Sequence, residues 1–147
     1  MIRVTIFLCS IFCFGIYLRA DESTSDSVRS VLANQAKAWN DGNIDKFMAD
    51  YWKSEKLTFS SGGKTTRGWQ PTYDRFKTKY KTAEDMGKLE FKDLEVTELV
   101  DAALVLGKWH VTRKHDDFGG NFTLLFRKID KRWLIVHDHT SLLEKEK

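Results

Sequence analysis

Residues 121–141 read "NFTLLFRKIDKRWLIVHDHTS" and contain two apolar runs separated by the charged triplet 130–132. Apolar runs bounded by turn residues predict β-strands, and the short connection predicts that these two strands form a hairpin. The second strand ends in the polar segment 137–141, which holds two histidines, an aspartate and two hydroxyls. The C-terminal part of the fold is therefore predicted to be β-sheet, and its polar end is the first candidate for a functional site.

Two more strand patterns precede this hairpin. The segment 88–99, "KLEFKDLEVTEL", changes the phase of its apolar residues near Asp93, which predicts a β-bulge that bends the strand. The segment 101–114, "DAALVLGKWHVTRK", alternates apolar and polar residues and leads into the turn "DDFGG". Since no helical pattern interrupts these segments, we expect one long antiparallel meander.

The N-terminal half of the chain has mainly helical periodicity. Apolar residues recur at helical spacing over 28–39 and again over 44–51, which predicts a helical hairpin. The segment 57–68 alternates instead and contains a glycine pair, which predicts a tight β-hairpin. Residues 69–80 return to helix with an almost wholly aromatic face.

These patterns together predict an α+β fold in which three N-terminal helices pack on a strongly curved antiparallel sheet. The sheet must bury one face against the helices. If the bulge curls the sheet, the helices close one side of a cone and leave an apolar cavity at its mouth. Residues 21–27, "DESTSDS", are expected to be a short disordered leader with a helix cap at Ser25, Asp26 or Ser27.

The first twenty residues differ from the rest. Arg3 supplies a positive charge, residues 4–17 are almost all apolar, and Ala20 is a small residue at a suitable cleavage point. The apolar run is shorter than the roughly 20 residues needed to span a bilayer, so we interpret residues 1–20 as a secretory signal peptide. An uncleaved membrane anchor is the alternative interpretation. A signal peptide predicts an exported protein, periplasmic or secreted.

The composition excludes several kinds of site. Both cysteines lie within residues 1–20, so the mature chain would hold no disulfide, zinc–thiolate site or cysteine nucleophile. Without Arg3 and Arg19, the 24 basic residues fall to 22 against 21 acidic ones, a net charge of +1. Because the two signs alternate along the chain, we predict neither nucleic acid nor, after signal cleavage, a membrane as partner.

Three segments resemble the nuclear transport factor 2-like superfamily, and in particular its ketosteroid-isomerase-like, or SnoaL-like, bacterial proteins. They are 38–52 ("AWNDGNIDKFMADYW"), 57–80 ("LTFSSGGKTTRGWQPTYDRFKTKY") and 119–141 ("GGNFTLLFRKIDKRWLIVHDHTS"). The end of the last segment is also similar to the association domain of calmodulin-dependent kinases. The resemblance implies a cystatin-like cone over 28–143, dimeric through its sheet, with a ligand pocket between sheet and helices.

The resemblance does not carry over the chemistry of the steroid isomerases of this fold. Those enzymes use a tyrosine on the first helix, an aspartate base after the second helix and a protonated acid in the sheet. Alignment by eye places Gln35 at the tyrosine and Ser60 at the base. Because a serine hydroxyl is no base at neutral pH, steroid isomerisation by that mechanism is not expected.

The polar segment at the end of the last strand offers several candidates. Residues two apart share a face of a strand, so His137 and His139 point one way together with Ile135, and Asp138 points the other way. Asp138 is a ligand-binding candidate, but the sequence does not decide which face lines the cavity. The two histidines supply only two metal ligands, and no spacing requires a third, so we predict no metal site.

The remaining candidates fall into two sets. His139 or His110 could abstract a proton from a carbonyl-bearing substrate with help from Tyr73, because imidazole titrates near neutral pH. The alternative for either histidine is a structural hydrogen bond at a strand end. The ligand-binding set is Trp109, Arg113, Trp52 and Trp69. In this set the Arg113 guanidinium would hold an anion beside aromatic walls. The alternative for Arg113 is a pair with a neighbouring aspartate at the surface.

Three functions follow from these observations. The first is an exported homodimer that binds a small, partly apolar molecule, with an anionic group as one option, and that uses no cofactor. The second is a cofactor-free lyase or isomerase with a histidine in its pocket. The third is a non-catalytic interaction module.

Overall fold

The computed structural model describes residues 23–143. Within this range the helices are α1 Thr24–Asn40, α2 Ile44–Met48, α3 Trp69–Lys79 and α4 Ala83–Met86. The strands are β1 Thr58–Ser61, β2 Lys64–Arg67, β3 Lys88–Glu98, β4 Ala102–Thr112, β5 Asp117–Ile129 and β6 Arg132–Thr140. The predicted α+β fold is confirmed. No helix within 23–143 is long and apolar enough to cross a bilayer.

The first helix begins earlier than the sequence predicted. The Ser23 hydroxyl accepts a hydrogen bond from the Asp26 backbone N–H at 3.0 Å and so caps the first turn. Residues 24–27 are therefore helical, and both the disordered leader over this stretch and the cap at residues 25–27 were wrong predictions. The proposed signal peptide, 1–20, lies outside the described residues and stays a prediction.

The strands form one sheet in the order β2-β1-β6-β5-β4-β3. The meander from β3 to β6 is antiparallel, as predicted, but β1 pairs with β6 in parallel. The sequence had not predicted this parallel pair. The parallel pair arises because α3 and the whole meander separate β1 from β6, so no hairpin sets their relative direction.

The sheet bends where its registers shift. The β3–β4 register changes between Lys92 and Glu95, and Asp93 has a positive φ of 51°. This confirms the bulge that the sequence predicted near Asp93. The short helix α4 had not been predicted, since four residues are too few to show a helical period. Its first turn is instead fixed by a capping box between Thr82 and Asp85.

The helices pack on one face of the bent sheet and form the core with it. Fully buried side chains come from both layers, with Leu32 of α1 and Met48 of α2 opposite Val105 of β4 and Phe126 of β5. Toward one end of this core the two layers separate, and the space between them is the candidate site.

Candidate functional site

A cavity of about 280 Å³ lies between the helices and the concave face of the sheet. Its walls are mainly aromatic. The helices contribute Trp39, Phe47, Phe76 and Tyr80. The strands contribute Phe59, Phe91, Trp109, Phe118 and Phe122. An apolar enclosure with few polar groups is the usual form of a small-molecule site.

The cavity has a closed end and an open end, which differ in the exposure of the residues around them. Asp138, Tyr51 and Gln35 are 4%, 4% and 1% exposed and mark the closed end. Lys79 and Leu142 also line the cavity but are exposed to solvent, so they mark its mouth. Polar recognition can therefore occur at both ends, with a band of rings between them.

Two neighbouring strands place Asp138 in the cavity wall. In the middle of the sheet, β6 lies between β1 and β5, where Asp138 pairs with Phe59 on one side and Leu124 on the other. All three residues line the cavity. The carboxyl group is thus held on a central strand between apolar neighbours.

A second bulge changes which residues of β6 face the helices. Leu125 pairs with His137, whereas the next residue of β5, Phe126, pairs with Ile135, so Val136 is the additional residue. Ile135 is consequently buried in the core. Its placement on the same face as His137, which strict alternation predicted, was wrong.

Tyr51 and Asp138 form a buried pair at the closed end. The Tyr51 hydroxyl donates a hydrogen bond of 2.6 Å to Oδ2 of Asp138. Burial, and then the neighbouring carboxyl group, raise the pKa of Tyr51 well above its usual range, so Tyr51 is the proton donor of the pair. Oδ1 of Asp138 is also buried and has no hydrogen-bond partner among residues 23–143.

Burial raises the pKa of Asp138 to about 7, although the hydrogen bond from Tyr51 lowers it in part. The carboxyl group therefore changes protonation state near neutral pH. As the acid it donates a hydrogen bond, and as the carboxylate it accepts hydrogen bonds or a proton.

Other polar side chains of the cavity are already engaged or lie farther out. The Gln35 amide donates a hydrogen bond of 3.1 Å to the carbonyl of Phe47. Ser61 and Thr140 are half-buried and contribute hydroxyls to the wall. Ser60, which alignment placed at the base position, does not line the cavity and contacts the Thr65 hydroxyl at 2.8 Å.

Two cations of α3 also reach the cavity. Arg75 and Lys79 lie one helical turn apart and both line its wall. The Arg75 guanidinium lies over the Phe59 ring at 5.2 Å, and the Lys79 ammonium lies over the Tyr80 ring at 5.1 Å. Each charge therefore lies beside a ring that is itself part of the apolar wall.

Of the residues predicted from the sequence, Trp109 and Asp138 line the cavity and the two histidines do not. The Trp109 indole donates a hydrogen bond of 3.2 Å to the carbonyl of Ser141. His139 is exposed, because it points to the face of β6 opposite Asp138. His110 is partly exposed, with Nε2 at 3.4 Å from Asp117 Oδ2.

The tyrosine and tryptophan candidates from the helical half lie outside the cavity. Tyr73 stacks on Trp69 and donates a hydrogen bond to Asp45. The Trp69 indole donates to the carbonyl of Met48 at 3.1 Å. Trp52 is half-buried, and its backbone N–H donates to the Ile135 carbonyl at 2.9 Å.

Arg113 is also absent from the cavity wall. Its guanidinium binds both carboxylate oxygens of Asp116 at 2.9 and 2.8 Å and lies over the Phe118 ring at 4.4 Å. The surface pairing that the sequence left open is therefore the arrangement found. Residues 23–143 contain no cluster of three or more histidine, cysteine, aspartate or glutamate side chains suited to a metal ion.

The sequence patterns did not indicate Tyr51, Arg75 and Lys79 as site residues. Tyr51 was recognised only as part of an apolar helical stripe, and its partner is 87 positions away in the chain. The spacing of Arg75 and Lys79, four residues apart beside aromatic residues, was the available signal for two cations on one face.

A family model described as a SnoaL-like domain matches residues 28–144. The chain belongs to this family. A structure of an NTF2-like protein of unknown function from Shewanella oneidensis is similar to this SnoaL-like domain at 40% sequence identity and a TM-score of 0.78. That match covers 81% of this chain and 99% of the other. The comparison with curated proteins gives no match.

More distant structures show the same fold. A cystatin-like protein of unknown function from Nostoc punctiforme has 11% identity and a TM-score of 0.67, covering 84% of this chain and 95% of the other. A putative calcium/calmodulin-dependent protein kinase II association domain from Xanthomonas campestris has 17% identity and a TM-score of 0.65. It covers 85% of this chain and 91% of the other. These matches support the cystatin-like architecture of the SnoaL-like domain and carry no activity over to it.

Proposed function

We propose that this SnoaL-like domain binds a small, partly apolar molecule in the cavity, with Asp138 as the polar anchor. The observation that carries the proposal is that Asp138 lines the cavity and that its buried Oδ1 has no hydrogen-bond partner among residues 23–143. Leaving a buried polar atom unpaired costs about 1–3 kcal/mol. A ligand hydroxyl or carbonyl that pairs with this carboxyl group would remove that cost.

The size and lining of the cavity support a small ligand with a cyclic body. A volume of about 280 Å³ lies near the lower end of the roughly 300–1,000 Å³ common for ligand pockets. The aromatic rings on both layers favour flat or alicyclic groups, which gain apolar contact with few rotatable bonds to order.

Substitution of Ser61 by tryptophan is expected to abolish binding, because Ser61 lines the cavity and the indole would fill part of it. Aromatic ketones and phenols that raise the melting temperature of the wild type through binding should have no effect on Ser61→Trp. Ser60→Trp is the matched control, since Ser60 is the adjacent residue of β1 but does not line the cavity. Equal melting shifts in both variants would contradict binding in this cavity.

A second candidate function is acid–base catalysis at Asp138. A carboxyl group with a pKa of about 7 in an apolar cavity can both accept and return a proton near neutral pH. The histidine mechanism receives no such support, because neither His139 nor His110 lines the cavity. In this candidate the carboxylate removes a proton next to a ligand carbonyl, and the resulting acid returns it at the same or a conjugated carbon.

Exchange of carbon-bound protons tests this second candidate. We expect the wild type to speed the loss of the α-proton signals of 2-tetralone in D₂O, followed by proton NMR. Asp138→Asn should slow the catalysed exchange by about 100-fold or more, the usual contribution of a general base. His139→Gln should keep the wild-type rate. An unchanged rate in Asp138→Asn would remove the carboxyl group from the reaction.

Two further expectations remain predictions. Export depends on residues 1–20, and detection of the mature chain outside the cytoplasm with residue 21 as its N-terminus would test it.

Dimerisation through the sheet is supported by Leu104, Leu106 and Leu125, which lie on its outer face with Leu106 43% exposed. Light scattering of the purified protein would measure the native mass, and a monomer would contradict the dimer.

A further inference from the structure

We infer that the ligand of this cavity is an amphipathic anion whose charged group stays at the mouth between Arg75 and Lys79, while an uncharged polar group reaches Asp138. This inference rests on the proposed function and adds the ligand's chemical class and its orientation. The class is a carboxylate or similar monoanion with a cyclic apolar body and a hydroxyl or carbonyl at the far end.

The first support is that the two cations lack carboxylate partners within the described part of the chain. Arg75 and Lys79 have no carboxylate within 4.0 Å among residues 23–143, whereas Lys77 on the same helix lies 3.9 Å from Asp45. Like charges four residues apart destabilise a helix. An anion bound between them would replace this repulsion with attraction.

The second support is the position of the two charges against the apolar wall. Arg75 is half-buried over the Phe59 ring, and Lys79 is exposed over the Tyr80 ring. Both rings line the cavity. A carboxylate at this rim keeps contact with water and two cations, and its apolar body still enters the ring-lined space.

The third support is the chemistry of the closed end, which disfavours a charged group there. The only cavity-lining cations within residues 23–143 are those of α3. An anion at the closed end would lose its hydration beside a carboxyl group and gain no cation in exchange. A hydroxyl or carbonyl, in contrast, can pair with Oδ1 of Asp138. The mouth of the cavity therefore favours the charged group of the ligand, and the closed end favours its uncharged polar group.

The test compares 4-hydroxycinnamate with its methyl ester by isothermal titration calorimetry. These probes share the ring and the phenol group and differ in the charge and in one methyl group. We expect the wild type to bind the carboxylate about tenfold more tightly than the ester, the effect of two partly exposed ion pairs. The double variant Arg75→Gln/Lys79→Gln should bind both probes with the affinity that the wild type has for the ester.

The control double variant Lys56→Gln/Lys77→Gln removes the same charge from lysines that do not line the cavity. It should keep the tenfold preference. Equal binding of both probes by the wild type would overturn the inference and leave the proposed function standing. A preference that survives in Arg75→Gln/Lys79→Gln, or disappears equally in the control, would also overturn it. Binding of neither probe to the folded wild type would overturn both the inference and the proposed function.

Discussion

Asp138→Asn is expected to stabilise the protein at alkaline pH by up to about 4 kcal/mol and to leave its stability nearly unchanged near pH 4. The asparagine amide has the shape of the protonated carboxyl group. Its oxygen can accept the hydrogen bond from Tyr51, and its NH₂ group can donate into the cavity. The variant therefore resembles the wild type in its neutral form and cannot acquire the buried negative charge.

The direction of this effect follows from the two pKa values of Asp138. Burial raises the pKa to about 7 in the folded protein, compared with 3.8 for the ordinary group. Between these values the folded state holds a proton that the unfolded state has released. The stability that the wild type gains from holding the proton on Asp138 is therefore fully present below about pH 4 and is lost as pH rises through about 7. Above that range the folded protein bears the full cost of the buried carboxylate.

Urea unfolding followed by circular dichroism from pH 4 to pH 9 measures the difference in the free energy of unfolding between the wild type and Asp138→Asn. Asp74→Asn is the matched control, because it makes the same change at an exposed position. Its difference from the wild type should vary little with pH compared with that of Asp138→Asn. A pH-independent difference for Asp138→Asn would show that burial does not raise the pKa of the Asp138 carboxyl group.

Trp39→Ala is expected to lower the free energy of unfolding by about 3–5 kcal/mol, the usual cost of removing a large aromatic residue from a core. Trp39 is 4% exposed and packs edge-on against Phe47 and Tyr80, at 5.1 and 4.7 Å between ring centroids. Its indole donates a hydrogen bond of 2.9 Å to the carbonyl of Met86. The substitution removes these contacts together and leaves a buried carbonyl unpaired.

Urea unfolding at one pH measures this loss, and Trp133→Ala provides the comparison. Trp133 is half-buried on β6, and the Lys128 ammonium lies over its ring at 5.9 Å. Its removal should cost clearly less, because water can reach the space that the ring leaves. Equal losses for the two variants would contradict the central packing role of Trp39. Since Trp39 also lines the cavity, a folded Trp39→Ala variant should accept larger ligands.

The two polar features of the binding proposal, an acid at the closed end and cations at the mouth, depend on different parts of the sequence. Asp138 lies between His137 and His139, and His139 was a catalytic candidate. In the structure both histidines lie on the face of β6 that points away from the cavity. Arg75 and Lys79 lie on a helix that was predicted correctly, but helical periodicity does not show which neighbour a given side chain meets. The secondary structure was therefore more predictable than the site.

The sequence alone determined the order of the strands and of helices α1 to α3, the antiparallel meander and the bulge near Asp93, because these depend on local periodicity and turn residues. Only the tertiary structure decided that Asp138 rather than His139 faces the cavity. That choice depends on the β5–β6 bulge and on the pairing of β6 with β1, which join residues far apart in the chain. The pKa of Asp138 has the same origin, since it arises from burial among side chains brought together by folding.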